Sequence, residues 1–357
     1  MTDHELPSEV RQAWDLDGAV ERLTSGHINC TYLAQTTDGE RLVVQRLSAI
    51  FGAEVNEDLE AITAHLASRG LLTPRLVRTR ADAAWLVEGR GDAVWRALSH
   101  VKGETILAAD SPARCAEAGR LLGRFHRALA DCEWPLRHER LGVHDTRRHL
   151  AGLREALEAH RGHRRYPAVE RLGERILAAS EHLTLPNSLP KRLVHGDPKI
   201  SNLLFDAASG EARCLVDLDT LARMPLAVEL GDALRSWCAP RGEELPDPID
   251  VERFAAALGG YAESAQPTEW LERREWAAVA STTEVIAVEL AARFCADALA
   301  ERYFGWDETR FPSASEHNEQ RATAQLALAK SIRERRGELE AIVMARWCGS
   351  GEPERGP

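Results

Sequence analysis

The sequence predicts an α+β protein with two lobes: a small N-terminal lobe in which a β-sheet carries one helix, and a large helical C-terminal lobe. Residues 17–101 consist mainly of short apolar runs separated by turns, which is typical of strands, whereas helical periodicity dominates beyond Gly103. The chain of 357 residues is also long enough for two domains of ordinary size. We therefore assign residues 1–102 to the N-terminal lobe, 103–347 to the helical lobe, and 348–357 to a disordered polar tail.

The N-terminal lobe begins with a predicted β-hairpin. In TYLAQTTDGERLVVQRL two apolar runs flank an Asp-Gly turn, the pattern that hairpins favour. The next stretch, NEDLEAITAHLASRG, predicts a helix, because Leu59, Ile62 and Leu66 recur at helical spacing and Gly70 is a typical stop. The pieces RLVRTR, AAWLVEG and AVWRALSHV then predict further strands.

The helical lobe contains one interval of a different kind. Helices are predicted over residues 112–129, 146–157, 169–183, 251–262, 270–301 and 317–345. Residues 191–219 instead alternate apolar runs with polar residues and a glycine turn, which predicts a hairpin with polar residues at both strand ends. In LAVELGDALRSW, Gly231 and Asp232 are expected to precede a helix, where Asp232 supports the structure as a cap or as a brace for a loop.

Composition and charge exclude several classes of protein. The net charge of −11 argues against a nucleic acid or an anionic membrane as a general partner. No apolar stretch reaches the roughly 18 residues of a membrane span, and the opening MTDHELPSEVRQ lacks the features of a signal peptide, so we expect a soluble cytoplasmic protein. The seven cysteines are scattered without close pairs, which indicates neither a zinc site nor a disulfide framework.

The octet HGDPKISN, which begins at His195, is the strongest functional signal. Its residue types are common in turns, but their order matches a phosphoryl-transfer loop: Asp197 follows the His by two residues, Asn202 comes five later, and a predicted hairpin leads to Asp217. That chemistry needs a carboxylate beside the acceptor hydroxyl and oxygen ligands for Mg²⁺. We predict Asp197 as the catalytic base, Asn202 and Asp217 as metal ligands, and Lys199 as a cation facing the phosphate.

Two further side chains near the octet complete this prediction. His195 is expected to be a buried imidazole that hydrogen-bonds backbone groups and fixes the shape of the loop, rather than the base. Asp219 follows Asp217 by two residues, so strand alternation places both on one side. From there Asp219 can approach a metal or a substrate hydroxyl.

The N-terminal lobe offers a weaker set of nucleotide contacts. LTSGHINCTY supplies a turn with Ser25 and one glycine, Gly26, and LVVQRL places Gln45 and Arg46 where a kinase strand carries lysine. Arg46 suits a phosphate better by charge, while alternation favours Gln45 facing the cleft, and the choice stays open. Glu57 or Glu60 on the following helix is a candidate partner for this cation, although both also fit a solvated helix face.

HGDPKISNLLFD followed by LVDLDT resembles the aminoglycoside phosphotransferase and choline kinase superfamily, whose fold is that of protein kinases. More narrowly, the chain is similar to the N-acetylhexosamine 1-kinases of that superfamily in SGHINCTY, in LVVQRL with EDLEAITAHL, in VDLDTLARMP with ELGDALR, and in SASEHNEQRATAQLALAKSI. The similarity runs from about residue 20 to 345. The chain departs from the kinase pattern in the few glycines of its phosphate turn and in the missing strand lysine.

The resemblance implies a protein-kinase-like two-lobe fold and a set of site residues. It supports the base and the metal ligands named above, and it places the adenine beside His100, Val101 and Gly103. Its candidate sugar contacts are His27, Asn29, Asp219, Arg293 and Tyr303. Four of these have a plainer alternative: a turn-shaping role for His27 and Asn29, an ion pair between helices for Arg293, and a core position for Tyr303.

These observations predict a small-molecule kinase that transfers the γ-phosphate of MgATP to a hydroxyl of an amino sugar. The resemblance makes the anomeric hydroxyl of an N-acetylhexosamine the expected acceptor. A choline-, ethanolamine- or aminoglycoside-type acceptor is the first alternative, since an acidic site can receive a cation. A catalytically inactive pseudokinase is the second, supported by the missing lysine and opposed by the retention of Asp197, Asn202 and Asp217. The expected partners are MgATP and the small molecule, with no nucleic acid and no membrane.

Overall fold

A computed structural model of the chain describes residues 6–23, 29–89, 93–139, 142–186 and 188–348. The chain divides into two compact units. Unit 1 comprises Met1–Gly103, Asp131–Glu139 and Val216–Asp219. Unit 2 comprises Glu104–Ala130, Arg140–Leu215 and Thr220–Pro357. Of the predicted carboxylates, Asp197 therefore belongs to unit 2, whereas Asp217 and Asp219 belong to unit 1.

Unit 1 is built on an antiparallel sheet. Its elements are α1 (Ser8–Ala13), β1 (Glu21–Leu23), β2 (Cys30–Gln35), β3 (Arg41–Arg46), α2 (Val55–Ser68), β4 (Leu76–Val77), β5 (Leu86–Glu88) and β6 (Ala93–Ser99). The strands pair in the order β1-β2-β3-β6-β4, and β5 also pairs with β6. The predicted hairpin is confirmed as β2 and β3, and the predicted helix as α2, with Gly70 just beyond it at φ +78°.

The two faces of this sheet have different character. Leu42 and Val44 of β3 and Trp95 of β6 are buried in an apolar cluster with Val10 of α1. Side chains alternate between the faces of a strand, so the neighbours of these residues point the other way. Gln45 and Arg96 are such neighbours, and they stand opposite each other in the β3–β6 register. One face is thus an apolar core, and the other carries polar groups.

Unit 2 is mainly helical. Its elements are α3 (Pro112–Leu129), α4 (Thr146–Ala159), α5 (Tyr166–Ser180), β7 (Lys191–Val194), β8 (Leu203–Phe205), β9 (Ala212–Leu215), β10 (Ala222–Pro225), α6 (Leu226–Trp237), α7 (Val251–Ala265), α8 (Arg273–Ala277), α9 (Val279–Ala300), α10 (Ala314–Glu334) and α11 (Arg336–Cys348). β8 and β9 form the predicted hairpin, and β10 pairs with β7. The α+β fold class is therefore confirmed. Within the described residues, no helix combines the length and apolar character needed to cross a membrane.

The helix predictions differ from the structure in two ways. The long stretches predicted over 270–301 and 317–345 each contain two helices, which are separated by Ala278 in the first and by Arg335 in the second. Gly231 and Asp232 lie inside α6 and do not precede it, so that expectation was wrong. Gly231 is tolerated there because it packs on α9, where a Cβ would lie 3.0 Å from the Thr282 carbonyl. Close helix packing outweighs the poor helix propensity of glycine.

Candidate active site

The octet forms a tight loop between β7 and β8. A single 3-10 turn, Ile200–Asn202, leads directly into β8. Gly196 makes the loop possible: its φ is +87°, and a Cβ there would lie 1.9 Å from the carbonyl oxygen of Thr220. Only glycine accommodates both the left-handed backbone and this close approach.

Asp197 is the centre of the polar contacts inside the loop. Its Oδ2 lies 2.6 Å from Nζ of Lys199. The amide nitrogen of Asn202 donates to the same oxygen at 3.1 Å and to the Asp197 carbonyl at 2.8 Å. The Asp197 backbone N–H donates to Nδ1 of the buried His195 at 3.3 Å. The side chains predicted from the octet therefore meet in one loop of unit 2.

The Asp197 carboxyl is ionised at neutral pH. Burial alone would raise its pKa, but the charge and hydrogen bond of Lys199, with smaller contributions from His195 and Arg235, hold the pKa below its ordinary value of 3.8. The side chain keeps 23% of its surface exposed, so a ligand can reach it. An ionised and accessible carboxylate is suited to orient a hydroxyl and to accept its proton.

Glu229 of α6 holds the start of the loop, and the sequence pattern did not single it out. Its Oε1 accepts the backbone N–H of His195, and its Oε2 accepts that of Gly196, each at 2.9 Å. Burial alone would raise the pKa of this carboxyl, but the hydrogen bond from His126 and the neighbouring donors have the larger effect. The pKa therefore lies below its ordinary value. The available signal was an acid within the apolar run LAVEL, since a buried carboxylate needs partners.

Two more residues near the end of α6 bind the second half of the loop. Nε1 of Trp237 donates to the Pro198 carbonyl at 2.9 Å, and Oγ of Ser236 accepts the Ile200 N–H at 3.1 Å. Buried backbone groups of an irregular loop need such partners, because the loop has no ladder of its own. Helix α6 thus acts as the scaffold on which the octet takes its shape.

Asp232 lies in the same helix and pairs within it. Its Oδ1 accepts from Nε and Nη2 of Arg235 at 3.0 and 2.7 Å, and Nη1 of Arg235 lies 3.1 Å from Glu243. Burial raises the pKa of Asp232, and the negative charge of Asp197 adds to this, although Arg235 opposes both. Its predicted supporting role remains a prediction, with Arg235 as its direct partner.

The segment 216–219 carries the other predicted carboxylates within unit 1. Asp217 has a φ of +64°, a left-handed conformation that costs a non-glycine residue on the order of 1–3 kcal/mol unless its surroundings hold it. Asp219 is buried, and its oxygens accept Nη1 and Nη2 of Arg96 at 2.5 and 2.7 Å. Nδ2 of Asn29 donates to Asp219 at 2.7 Å. Two of the predicted sugar contacts, Asn29 and Asp219, are therefore hydrogen-bonded to each other.

The positions of Gln45 and Arg46 follow from strand alternation. Gln45 lies on the polar face of the sheet, where its Oε1 accepts Nε and Nη2 of Arg96 at 2.9 and 2.6 Å. Arg46 is exposed and lies on the opposite face. Glu60 pairs with Arg78 at 2.7 Å and not with Arg46. The buried cation beside β3 is therefore Arg96, which appears in the sequence as a lone charge inside the apolar run AVWRALS.

The predicted adenine contacts begin at the end of β6. The backbone N–H of His100 donates to the Arg41 carbonyl at 3.3 Å. Burial and the Arg41 charge lower the pKa of His100, so the imidazole is neutral at pH 7. Nucleotide binding by this stretch, including Val101 and Gly103, remains a prediction. The predicted residues of the phosphate turn lie outside the described residues: Ser25, Gly26 and His27.

Two predicted acceptor contacts lie at the C-terminal end of α9 and just beyond it, in unit 2. The Arg293 guanidinium lies 5.8 Å from the ring centroid of Tyr303 and 5.6 Å from that of Phe304. Tyr303 is 53% exposed, which excludes a core position. Asp297 accepts the backbone N–H groups of Tyr303 and Phe304 at 2.9 Å each, so the turn that presents the tyrosine is well held.

Asn202 and Asp217 supply oxygen donors of the kind that Mg²⁺ prefers. The hydrogen bonds of the Asn202 side chain use its amide nitrogen, which leaves the amide oxygen for a cation. Across the described part of the chain, no group of three or more His, Cys, Asp or Glu side chains is placed to hold a metal. Mg²⁺ in kinases commonly takes its remaining ligands from nucleotide phosphates and water. Mg²⁺ binding by Asn202 and Asp217, which belong to different units, remains a prediction.

Known proteins resemble this chain in sequence and in fold. Residues 19–276 match the family described as "Phosphotransferase enzyme family" (APH). The homoserine kinase of Methylobacterium radiotolerans is 28% identical over 258 residues, which cover 70% of this chain and 72% of that protein. The structure of a microcompartment-associated aminopropanol kinase matches with a TM-score of 0.61 and 15% identity, covering 94% of this chain and 97% of that one. Amicoumacin kinase in complex with AMP-PNP and Ca²⁺ matches with a TM-score of 0.60 and 13% identity, covering 88% and 91%.

These matches agree with the architecture described above. The solved structures share the protein-kinase-like fold, with an antiparallel sheet in the N-terminal lobe and a helical C-terminal lobe. The family match covers well over half of the chain and includes the octet, the following hairpin and α6. The chain belongs to the APH phosphotransferase enzyme family, and it is an ATP-dependent kinase whose acceptor is a hydroxyl group.

Proposed function

We propose that the protein transfers the γ-phosphate of MgATP to the hydroxyl of a small acceptor that carries an amino or acylated amino group. The arrangement of the octet is the observation that carries this proposal. An ionised Asp197 lies 2.6 Å from Lys199 and accepts a hydrogen bond from the side chain of Asn202. The buried Glu229 holds the backbone of this loop. A carboxylate, a cation and an amide oxygen are the groups that this chemistry requires.

Each of these residues has a distinct task in the proposed reaction. Asp197 accepts a hydrogen bond from the acceptor hydroxyl and takes its proton as the new O–P bond forms. The bond between the γ-phosphorus and the bridging oxygen breaks, and ADP leaves. Lys199, already 2.6 Å from Asp197, offsets negative charge on the transferred group. Asn202 and Asp217 would hold Mg²⁺, which when bound would neutralise charge on the phosphates.

An N-acetylhexosamine is the first candidate acceptor, and its anomeric hydroxyl is the expected site. The stretches that resemble the N-acetylhexosamine 1-kinases support it. So does the exposed Tyr303 beside Arg293, because an aromatic face next to a hydrogen-bond donor suits a sugar ring. Asp219 and Asn29 are both buried, so the proposal assigns the sugar contacts mainly to Arg293 and Tyr303.

Homoserine is the second candidate acceptor. The 28% identity to a homoserine kinase over 70% of this chain supports it. In this case Arg293 would bind the carboxylate of the amino acid, for which a planar guanidinium is well matched. Choline-, ethanolamine- and aminoglycoside-type acceptors remain the further alternatives. The expected cytoplasmic location belongs to the same proposal, since both candidates are metabolites that an ATP-dependent enzyme would meet there.

An ATP-consumption screen tests the proposal. The panel contains N-acetylhexosamines, free hexoses, homoserine, choline, ethanolamine and aminoglycosides, with Mg²⁺ present and Asp197→Ala as the blank. We expect turnover with one acceptor class, reduced about 10²–10⁴-fold in the variant, as for loss of a general base. Phosphorus NMR of the product identifies the hydroxyl. Turnover that survives in Asp197→Ala would contradict the role of the octet.

A further inference from the structure

A buried arginine occupies the polar face of the sheet in unit 1. Arg96 of β6 is only 1% exposed and stands opposite Gln45 of β3 in the strand register. A buried guanidinium is costly unless each of its N–H groups finds a partner. Arg96 makes five hydrogen bonds: two to Gln45, two to Asp219 and one to Asn56.

The carboxylate that balances the charge of Arg96 accepts three hydrogen bonds of its own. Asp219 accepts both terminal nitrogens of Arg96, at 2.5 and 2.7 Å, and Nδ2 of Asn29 at 2.7 Å. Asn29 in turn accepts the backbone N–H of Ser48 at 2.9 Å. The bidentate pairing of the Arg96 guanidinium with the Asp219 carboxylate fixes both the orientation and the position of the carboxylate. Asp219 is therefore connected to β6 and to Asn29, the residue that directly precedes β2.

The segment held in this way contains a predicted metal ligand. Asp217 is two residues before Asp219, and its φ of +64° is a conformation that relaxes unless neighbouring groups maintain it. Among the described residues, Arg96 is the only charged side chain that binds Asp219. An ion pair at Asp219 is thus placed to hold the backbone that presents Asp217.

We propose that Arg96 is a positioning residue for the metal site. Through its ion pair with Asp219 it holds the segment 216–219 in the conformation in which the Asp217 carboxylate binds Mg²⁺. The inference rests on the proposed function, because it assumes that Asp217 is a metal ligand. It also gives a role to the departure from the kinase pattern in LVVQRL: Gln45 stands in the strand where lysine is expected, and it orients a cation from the neighbouring strand.

The proposal predicts different behaviour for two substitutions of Arg96. Arg96→Met removes the charge and all five donors, so the 216–219 segment loses its anchor. Arg96→Lys keeps the charge but has one nitrogen, which cannot bind both carboxylate oxygens and Gln45 together. We therefore expect a large effect on metal binding for the first and an intermediate effect for the second.

The test compares nucleotide binding with and without Mg²⁺ by titration calorimetry, using a non-hydrolysable ATP analogue. In the absence of metal, both variants should bind the analogue within about two-fold of wild type. The tightening that Mg²⁺ produces in wild type should fall at least about ten-fold in Arg96→Met and about three-fold in Arg96→Lys. The Mg²⁺ concentration that half-saturates turnover should rise by similar factors.

Asp58→Asn is the matched control. Asp58 is as buried as Arg96, belongs to unit 1, and accepts hydrogen bonds from Trp134, Arg137 and His138 at 2.7–2.8 Å. Its substitution should lower thermal stability without changing the response to Mg²⁺. If a general destabilisation of unit 1 were the cause, the Mg²⁺ response would change in all three variants. If Arg96 is a positioning residue, the Mg²⁺ response changes only in the two Arg96 variants.

Several outcomes overturn the inference. It fails if the folded Arg96→Lys protein responds to Mg²⁺ as wild type does, even where Arg96→Met does not fold. It also fails if Asp58→Asn shifts the Mg²⁺ response as much as Arg96→Lys.

The proposed function is judged separately, on the wild-type protein. A wild type that binds metal and nucleotide but phosphorylates none of the panel refutes the proposed acceptors. That result leaves the binding test of Arg96 valid. Absence of any Mg²⁺ effect on wild-type binding refutes the metal site and this inference together.

Discussion

The two units hold the segments that carry the candidate site residues by different kinds of contact. In unit 2, Glu229 accepts two backbone N–H groups of the octet loop, so a carboxylate holds main chain directly. In unit 1, Asp219 of the 216–219 segment is held by the side chains of Arg96 and Asn29. Backbone contacts fix a loop regardless of its side chains, whereas a side-chain ion pair depends on the identity of both partners. The octet loop should therefore tolerate loss of charge better than the 216–219 segment does.

The largest effect should come from breaking the ion pair of unit 1. Arg96→Met leaves the buried Asp219 carboxylate without its counter-charge, and we expect a loss of about 3–5 kcal/mol in the free energy of unfolding. Chemical denaturation measures this. The double variant Arg96→Met with Asp219→Leu should recover most of the stability, because an apolar pair of similar volume replaces an ion pair well. A double variant as unstable as the single one would show that the pair is not the cause.

The second-largest loss of stability is expected for substitutions of Glu229 in unit 2. Glu229→Ala removes the acceptor of two buried N–H groups, and we expect a loss of about 2–4 kcal/mol, since each orphaned donor costs about 1–3 kcal/mol. Turnover should also fall, because His195 and Gly196 are no longer held. Glu229→Gln keeps one acceptor oxygen and should lose about half as much. Equal losses in the two variants would mean that charge, and not backbone hydrogen bonding, holds the loop.

A smaller effect is expected at the second contact of α6 with the loop. Trp237→Phe keeps most of the buried ring but removes the hydrogen bond from Nε1 to the Pro198 carbonyl. Such a bond contributes about 0.5–1.5 kcal/mol, so stability should drop by about 1 kcal/mol. The Michaelis constant for ATP should stay close to that of wild type. A loss beyond 3 kcal/mol would indicate that the ring, and not its hydrogen bond, supports the loop.

The smallest change in stability is expected at the half-buried pair of Asp197 and Lys199 in the octet, where the pH profile is the better measurement. Lys199 helps to hold the pKa of Asp197 below its ordinary value of 3.8. The stabilisation that this shift provides is present above the unfolded pKa and is lost as pH falls through the lower folded value. In Lys199→Met the pKa of Asp197 should rise, so the acidic limb of kcat/KM should move to higher pH. An unmoved limb would show that Asp197 is not the group that titrates.

The octet loop was the most predictable part of the candidate site. Its residues lie within eight positions of one another, so local spacing reports their proximity, and Asp197, Lys199 and Asn202 indeed meet in one loop. Glu229 and Arg96 escaped prediction because their partners are 34 and 123 residues away. Only a folded chain brings such residues together. Each was visible beforehand merely as a charge in an apolar run.

The sequence by itself determined the α+β fold class, the hairpins, most helices and the proximity of the octet residues, since all of these depend on local periodicity and spacing. Tertiary structure alone decided that Gln45 binds a cation from the next strand, that Arg46 lies on the other face, and that Asp219 is buried in an ion pair. It also placed Gly231 inside a helix, because packing against α9 outweighs propensity. These outcomes depend on burial, and burial is a property of the whole chain.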